Sequence, residues 1–412
     1  MTHPAPLAAT RTPGGGQHHT REGLALIGAL AVTQTIGYGV LFYVFAVFLT
    51  SVTRDLHTTP AVVTGALTLG ILVTAAASVP AGRWLDRHGG RALMTAGSVL
   101  AVISVLAWSQ VRTPAQLYAV FALIGLASAM VLYEPAFAVV IRHFAQSRRQ
   151  GALLAVTLVA GFASSIFLPL AGQLEIHLGW RNAVVVLAAI LAVTIPLHAF
   201  AVPKRHTVQP KTSTEPGDGQ RRQIVHTALR ERGFWLLTLA FLAQGAAVAA
   251  ISVHLIAYLT SRGHSPAFAA TTAGLLGVLS VTGRILTTGV TRRLPIGLVT
   301  AAVFALQAAA AAALPALGGT RAGAIICVTA FGLGFGVAAI ARSAILAARY
   351  GTTAYATLSG AQALPITLAK AAAPLAAAGV AAASGYSTVP AAAAGACVLA
   401  AVCLFTARQP AG

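Results

Sequence analysis

Three ionisable side chains stand in stretches of the chain that are otherwise apolar: Glu134, after Tyr133 and before Pro135; Arg284, ending Ser280-Val281-Thr282-Gly283-Arg284; and Lys370, inside the run 355–378. Such a group at the centre of a hydrocarbon layer costs about 2.5–3.5 kcal/mol on insertion scales, so each needs a partner or a task. Arg284 lies about six residues, or roughly 9 Å, from the end of its run. It can snorkel to the nearby interface or act as an anion ligand in a cavity. Lys370 sits nearer mid-depth, with no acid within four residues of it; it is a second anion ligand or a buried lysine paired elsewhere. Glu134 admits three roles: proton carrier, fixed salt-bridge partner, or ligand of a cationic substrate. If all three face one cavity, two cations stand against one anion. A low-dielectric cleft with surplus positive charge favours an anionic guest. An exporter of hydrophobic cations is expected to show the opposite balance.

The elements that carry these groups follow from composition. Of 412 residues, 8% are charged and 57% hydrophobic, with a mean hydropathy of +0.80. That excludes a soluble globular enzyme and indicates an all-α integral membrane protein. Ten-residue alternating patterns are absent, which argues against a barrel. The net charge of +19 does not mark a nucleic-acid binder, because the basic residues sit in short loops without interleaved aromatics. Cys327, Cys397 and Cys403 fall in apolar runs and form neither a disulfide framework nor a metal spacing. No phosphate-binding glycine loop, zinc spacing or nucleophile with a nearby base occurs, so no cofactor, metal or catalytic residue is expected.

Twelve spans are expected, near 24–50, 60–82, 92–110, 115–141, 151–174, 182–202, 234–260, 266–290, 296–314, 322–342, 355–378 and 386–407. Residues 1–22 are polar, lack the pattern of a secretory signal, and read as a disordered cytoplasmic tail. Residues 203–233 read as a solvated linker between two six-helix bundles, 23–202 and 234–407, and 408–412 as a short tail. Lys and Arg gather overwhelmingly on one side, in loops such as Arg83–Arg91, Arg148-Arg149 and Arg292-Arg293; the count also places Arg342 there. This puts both termini in the cytoplasm of a plasma-membrane protein. Gly161, Pro169 and Gly172, then Gly332, Gly334 and Gly336, then Pro365 and Pro374 interrupt three spans. They serve as packing devices or, for the two prolines, hinge points. Leu178-Gly179-Trp180-Arg181 reads as a loop with interfacial anchors.

Between the second and third spans lies Gly82-Arg83-Trp84-Leu85-Asp86-Arg87-His88-Gly89-Gly90-Arg91. Gly82 permits close helix contact, and Gly89-Gly90 permit unusual backbone angles. Asp86, one of eight acidic residues, stands among arginines as the acid of an ion-pair latch. The pattern G-x-x-x-D-R-x-G-x-R resembles the signature loop between helices 2 and 3 of the major facilitator superfamily. The resemblance implies twelve helices in two pseudo-symmetric halves and a secondary transporter working by alternating access. It makes Gly82, Asp86, Arg87, Gly89 and Arg91 the gating latch. The turn Gly289-Val290-Thr291-Arg292-Arg293 has the same placement in the second half and lacks the acid.

A Gly-Arg step in helix 8 with a basic residue in helix 11 is similar to the oxalate–formate antiporters, and the helix-8 arginine is similar to that of the monocarboxylate porters. The resemblance implies that Arg284 and Lys370 clamp a carboxylate. Position 280 is Ser, where the monocarboxylate porters have an acid, so their coupling scheme does not carry over. Gln34, Tyr38, Tyr43, Gln244, His254 and Gln362 lie on spans that line the cavity in this family; each is a substrate-binding candidate or a helix-to-helix hydrogen bond. The expected partners are an anionic small molecule, the lipid bilayer and a proton co-substrate, with no nucleic acid, and the expected state is a monomer. The other readings are a proton-linked exporter of drugs or metabolites using Glu134, and a non-transporting sensor or scaffold.

Overall fold

The computed structural model describes residues 15–204 and 218–407, all of them helix or short turn. The segment 1–14, most of the expected tail, lies outside the described residues, as do 205–217 and 408–412. The first helix, α1 (Gly15–Tyr38), starts earlier than composition suggests. It continues through one π-type turn, Gly39–Tyr43, into α2 (Phe45–Asp55). Then come α3 (Pro60–His88), α4 (Gly90–Ser109), α5 (Pro114–Val131), α6 (Tyr133–His143), α7 (Gln146–Ala160), α8 (Ala163–Ala192) and α9 (Thr194–Ala201). The second half holds α11 (Arg232–Ser261), α12 (Pro266–Val290), α13 (Ile296–Leu317), α14 (Arg321–Leu333), α15 (Val337–Tyr350), α16 (Tyr355–Ser384) and α17 (Thr388–Thr406). Between the halves, α10 (Asp218–Arg230) makes part of the supposed linker helical.

Among the described residues, eleven continuous helical segments are long and apolar enough to cross a membrane. One of them, Gln146–Ala201, has 56 residues, about 84 Å at 1.5 Å each and far more than one bilayer. It reverses at Gly179, where φ is +74°, a backbone angle that favours glycine. The crossings therefore number twelve, as the sequence implies.

Local sequence sets the helix starts. Thr59-Pro60, Thr113-Pro114 and Ser265-Pro266 each place a hydroxyl at the cap and a proline in the first turn, and each hydroxyl accepts from a backbone N–H three residues on. Thr320 caps α14 in the same way. These four starts share one face of the molecule. There Arg181 donates to Asp55 at 2.8 Å and to the carbonyls of Ser109 and Val111 at 2.6 and 2.7 Å, and Trp180 donates to Asp55 at 3.2 Å. Trp180 is buried and Arg181 ties the ends of α2 and α4 together, so this pair staples helices instead of anchoring at the interface.

Four apolar clusters fill the bundles. One, around Phe45, Phe48, Trp108 and Phe121, lies wholly in the first half, and two, around Tyr258 and Phe331 and around Phe241 and Phe304, lie in the second. A fourth joins Leu85, Met94, Phe137 and Ile141 to Phe234, Leu346, Tyr355 and Leu358 across the halves, next to the α3–α4 turn. The halves meet most extensively along α3 and α16, where small residues let backbones touch. A Cβ at Gly82 would collide with the carbonyl of Ala356, and one at Gly360 with that of Ser78.

Candidate functional site

A cavity of about 280 Å³ lies between the halves, lined by α1, α3, α5 and α6 on one side and by α11, α12, α15 and α16 on the other. Every charged residue singled out from the sequence as lying inside a span reaches it: Glu134, Arg284 and Lys370. So do Tyr38 and Gln244. A fourth charged residue joins them, Arg342, which the loop count assigns to the surface. It lies in α15, two turns before Arg349, the next-to-last residue of that helix.

Breaks in the helices position these groups. The fourth crossing breaks at Leu132, whose backbone is extended, and α6 restarts at Tyr133 with Glu134 in its first turn. An acid there interacts favourably with the helix dipole. The tenth crossing unwinds over Gly334–Gly336 before α15 restarts. The carbonyl of Gly336 accepts from Arg284 Nε at 3.1 Å, and a Cβ on Gly336 would collide with that guanidinium. Arg284 Nη1 donates to the Thr157 carbonyl at 2.8 Å, at the end of α7 in the other half. Arg284 thus sits within the protein, held by two carbonyls and, among the described residues, by no carboxylate.

Arg342 donates to Glu134 Oε1, and Ser359 on α16 donates to Glu134 Oε2. This carboxylate of the first half is gripped by two helices of the second. The other terminal nitrogen of Arg342, Nη1, is buried with no hydrogen-bond partner among the described residues. Lys370 is exposed to the cavity, its stem lying on Gly245 of α11, where a Cβ would come within 2.7 Å of Lys370 Cε. Its ammonium has no hydrogen bond or ion pair among the described residues. Three basic side chains and one acidic one therefore line the cavity. Tyr38 and Tyr133 add phenols, with ring centroids 4.5 Å apart, and Tyr133 stacks on Phe137. Tyr38 immediately precedes the π-type turn, whose extra residue rotates the remainder of the first crossing about its axis.

The remaining polar candidates are placed elsewhere. Gln34 is fully buried and donates to the Val131 carbonyl at 2.7 Å, helping to hold the end of α5. His254 bonds the carbonyl of Pro374 at 2.9 Å, and Gln362 donates to Thr238 at 3.3 Å. None of the three lines the cavity, and Tyr43 does not either. Gln34, His254 and Gln362 satisfy polar groups between helices, the commoner fate of a lone amide or imidazole in a membrane helix. Gln244 does line it, and donates to Gln307 at 3.2 Å.

Below the cavity the halves are shut. Ser78 Oγ donates to the Gly360 carbonyl at 2.9 Å. Two turns further along α3, Asp86 is buried and accepts four hydrogen bonds: from Arg142 Nη2 at 3.0 Å, Ala356 N at 3.2 Å, Thr357 N at 2.7 Å and Thr357 Oγ1 at 2.7 Å. The two backbone donors belong to the first turn of α16, so a carboxylate of one half caps a helix of the other. Of the expected latch residues, Gly82 and Asp86 touch the opposite half. Gly89, at φ +86°, makes the reversal into α4. Arg91 bonds within its own half, donating to the carbonyls of Val202 at 2.6 Å and Phe200 at 3.4 Å. Arg87 is half-buried on the same turn. Arg142, which no sequence pattern singles out, is the acid's ionic partner and also donates to the Thr353 carbonyl at 3.3 Å, in the second half.

Comparison with known proteins bears on this architecture. The chain is 28% identical over 206 residues to an MFS-type efflux pump of Mycolicibacterium smegmatis; the match covers 50% of this chain and 47% of the relative, so the chain spans about half the length of that protein. The fold matches the fucose:proton symporter of E. coli with a TM-score of 0.71 at 14% identity, over 95% of this chain and all of the symporter. It matches the human organic anion transporter MFSD10 with a TM-score of 0.70 at 15% identity, over 96% of this chain and all of that one. Residues 30–369 match the Major Facilitator Superfamily profile, a stretch that includes the latch and most of the cavity lining and ends one residue before Lys370. The chain belongs to the Major Facilitator Superfamily.

Proposed function

We propose that this secondary transporter carries a small organic anion, a carboxylate in the first instance, by alternating access of a central site. The observation that carries this reading is the ammonium of Lys370, exposed to the cavity without a partner among the described residues, beside an Arg342 whose Nη1 is also unsatisfied. Glu134 offsets one of three cations, and the rest await negative charge. An anion would lie between Lys370 and Arg342, with Arg284 near enough to contribute once its hold on Thr157 is released. The human transporter that shares the fold is an organic anion carrier, which agrees with this charge balance.

In the proposed orientation, the latch face is cytoplasmic. The cavity then takes its substrate from the outer side while Asp86 and the Ser78–Gly360 contact close the inner one. Rocking of the halves breaks these contacts together with the Arg284–Thr157 and Glu134–Arg342 links, all of which cross between the halves. Glu134 would bear a coupling proton, because protonation removes the charge that Arg342 and Ser359 hold.

The test is Lys370→Ala in proteoliposomes, with uptake of a panel of mono- and dicarboxylates. The expected result is a rise in KM of roughly 10-fold or more, as for loss of one charge-assisted hydrogen bond worth about 1.5–3 kcal/mol. Unchanged KM and rate for every anion transported would remove the clamp. A second reading has one observation behind it: the M. smegmatis relative is an efflux pump. Glu134→Gln impairs either carrier, so Lys370→Ala separates them: a proton-linked exporter keeps transport with it, and the anion carrier loses affinity.

A further inference from the structure

A second recess lies outside the transport path. It opens on the outer surface where α3, α4 and α9 meet at the latch face, with a volume of about 550 Å³. His88, Arg91 and Lys204 ring its polar end, and the methyls of Ala92, Ala96 and Ala199 form its floor. Among the described residues, no acidic one lines it.

Its surroundings say what kind of molecule fits. On α4 the exposed residues Ala92, Ala96, Val99, Ile103 and Leu106 succeed one another at helical spacing, while Leu93, Met94, Gly97 and Ala101 face the bundle. The outward stripe is small at the polar end and large above it. It runs about 21 Å, enough to cover one leaflet's hydrocarbon of about 15 Å. The alanines therefore create a notch under the bulkier Val99 and Ile103, at the level where a helix leaves the hydrocarbon. Two exposed aromatics flank the notch: Trp84, 48% exposed with its ring 4.5 Å from that of His88, and Phe200, 81% exposed. Aromatics so placed mark the headgroup boundary. Arg91 is pinned there by its bonds to the Val202 and Phe200 carbonyls, so its charge is fixed in position before any ligand arrives.

We infer that this notch binds an anionic phospholipid, the phosphate at His88, Arg91 and Lys204 and an acyl chain along the α4 stripe. A soluble anion would gain the charges and leave the apolar floor uncovered. A zwitterionic lipid would cover the floor, and its own cation would oppose the basic rim. Position adds a consequence: the notch borders the turn that carries Asp86, so a lipid seated there braces α3 against α4 beside the latch.

The experiment uses the full-length, delipidated protein in neutral detergent and native mass spectrometry. Phosphatidylglycerol, phosphatidylcholine and glycerol 3-phosphate are titrated separately. The wild type should retain phosphatidylglycerol in preference to phosphatidylcholine and ignore glycerol 3-phosphate. Lys204→Gln should weaken retention about fivefold, the equivalent of the ~1 kcal/mol that one basic residue contributes at an anionic membrane surface. Lys204→Arg should keep it. Ala96→Leu, which fills the notch and leaves every charge in place, should weaken it by a similar factor. Both sites are exposed, and a monodisperse variant is the control for folding. Equal retention of the two lipids, phosphatidylglycerol binding untouched by Ala96→Leu, displacement by glycerol 3-phosphate, or a dimer in place of lipid adducts would each overturn the assignment.

Discussion

The two turns at the latch face sit in corresponding places and behave differently. Gly82–Arg91 comes after the second crossing and Gly289–Arg293 after the eighth, and each reaches the start of a helix in the opposite half. The first sends Asp86 into the backbone N–H groups of Ala356 and Thr357. The second has no acid, and its Thr291 hydroxyl donates to Gln150 on α7 at 2.9 Å. The arginines one residue from the ends of α6 and α15 differ accordingly. Arg142 pairs with the acid of its neighbouring turn, whereas Arg349 finds Glu231, just before α11, and the Ala407 carbonyl. One half thus supplies a charged clasp across the interface, and the other keeps its ion pair at home. A buried carboxylate on a helix start is a strong contact and a neutral hydroxyl–amide bond a weak one. The closed state at this face therefore depends on one turn far more than on its counterpart.

The largest effect should come from Asp86→Asn. The amide still fills the space, but it loses the ion pair with Arg142 and the charge that the α16 dipole favours. The contacts that cross the halves are the α16 hydrogen bonds to the carboxylate, and hydrogen bonds to a charged group are worth about 1.5–3 kcal/mol, so the closed population at this face should fall by roughly one to two orders of magnitude. Spin labels at the exposed positions Arg83 and Arg293, one in each half, would read this as a shift to longer distances. An unchanged distance distribution would mean that the apolar contacts of α3 with α16 hold the face shut without the acid.

Thr291→Asp is the converse and should act in the other direction with smaller size. It adds an acid to the second turn beside Gln150, one residue on from Arg148-Arg149 in α7. A carboxylate near a helix start is worth about 0.3–1 kcal/mol at partly exposed sites. The expected result is a two- to fivefold slowing of transport, with the Arg83–Arg293 distance distribution narrowed toward the short, closed component. Unchanged transport and unchanged distances would show that the second turn does not bear on opening.

The fold is open to sequence reading because a membrane helix announces itself by length, and Asp86 because charge is so scarce here that one Asp among arginines stands out. Glu134, Arg284 and Lys370 are legible for the same reason. Arg342 is not. It lies near the boundary of an apolar run, and run length alone places it in a loop; the unwound Gly334–Gly336, which moves the restart of α15 into the membrane, is visible only in the backbone. Counting back from Arg349 in parallel with Arg142 would find it, since Glu134 and Arg342 then fall within one residue of the same register. Gln34, His254 and Gln362 show the opposite failing. Residue type and span are right for a cavity, but rotation about the helix axis decides whether an amide meets substrate or a neighbour's carbonyl, and twelve apolar helices carry too little amphipathic pattern to fix it. Arg142 is hidden because its partner is distant in sequence.

The smallest effect tests the ion pair that stays within the second half. Glu231 lies outside the membrane-crossing helices. Its partial burial pushes its carboxyl up, but hydrogen bonds from Arg349 and Tyr350 and the charge of Arg349 outweigh this and hold it below the usual carboxylate range. A carboxyl lowered by folding adds stability at pH values above its unfolded pKa, and that contribution is lost as pH falls through the folded one. The window is therefore below about pH 4.3, the ordinary glutamate value. With 35% of the Glu231 side chain exposed, screening keeps the whole contribution within about 1 kcal/mol. Glu231→Gln should lower Tm slightly at neutral pH and flatten its fall between about pH 4.5 and 3, while the Arg83–Arg293 distances stay those of the wild type. If they lengthen instead, the home-side pair also holds the halves together, and the asymmetry between the two turns is less than their hydrogen bonds imply.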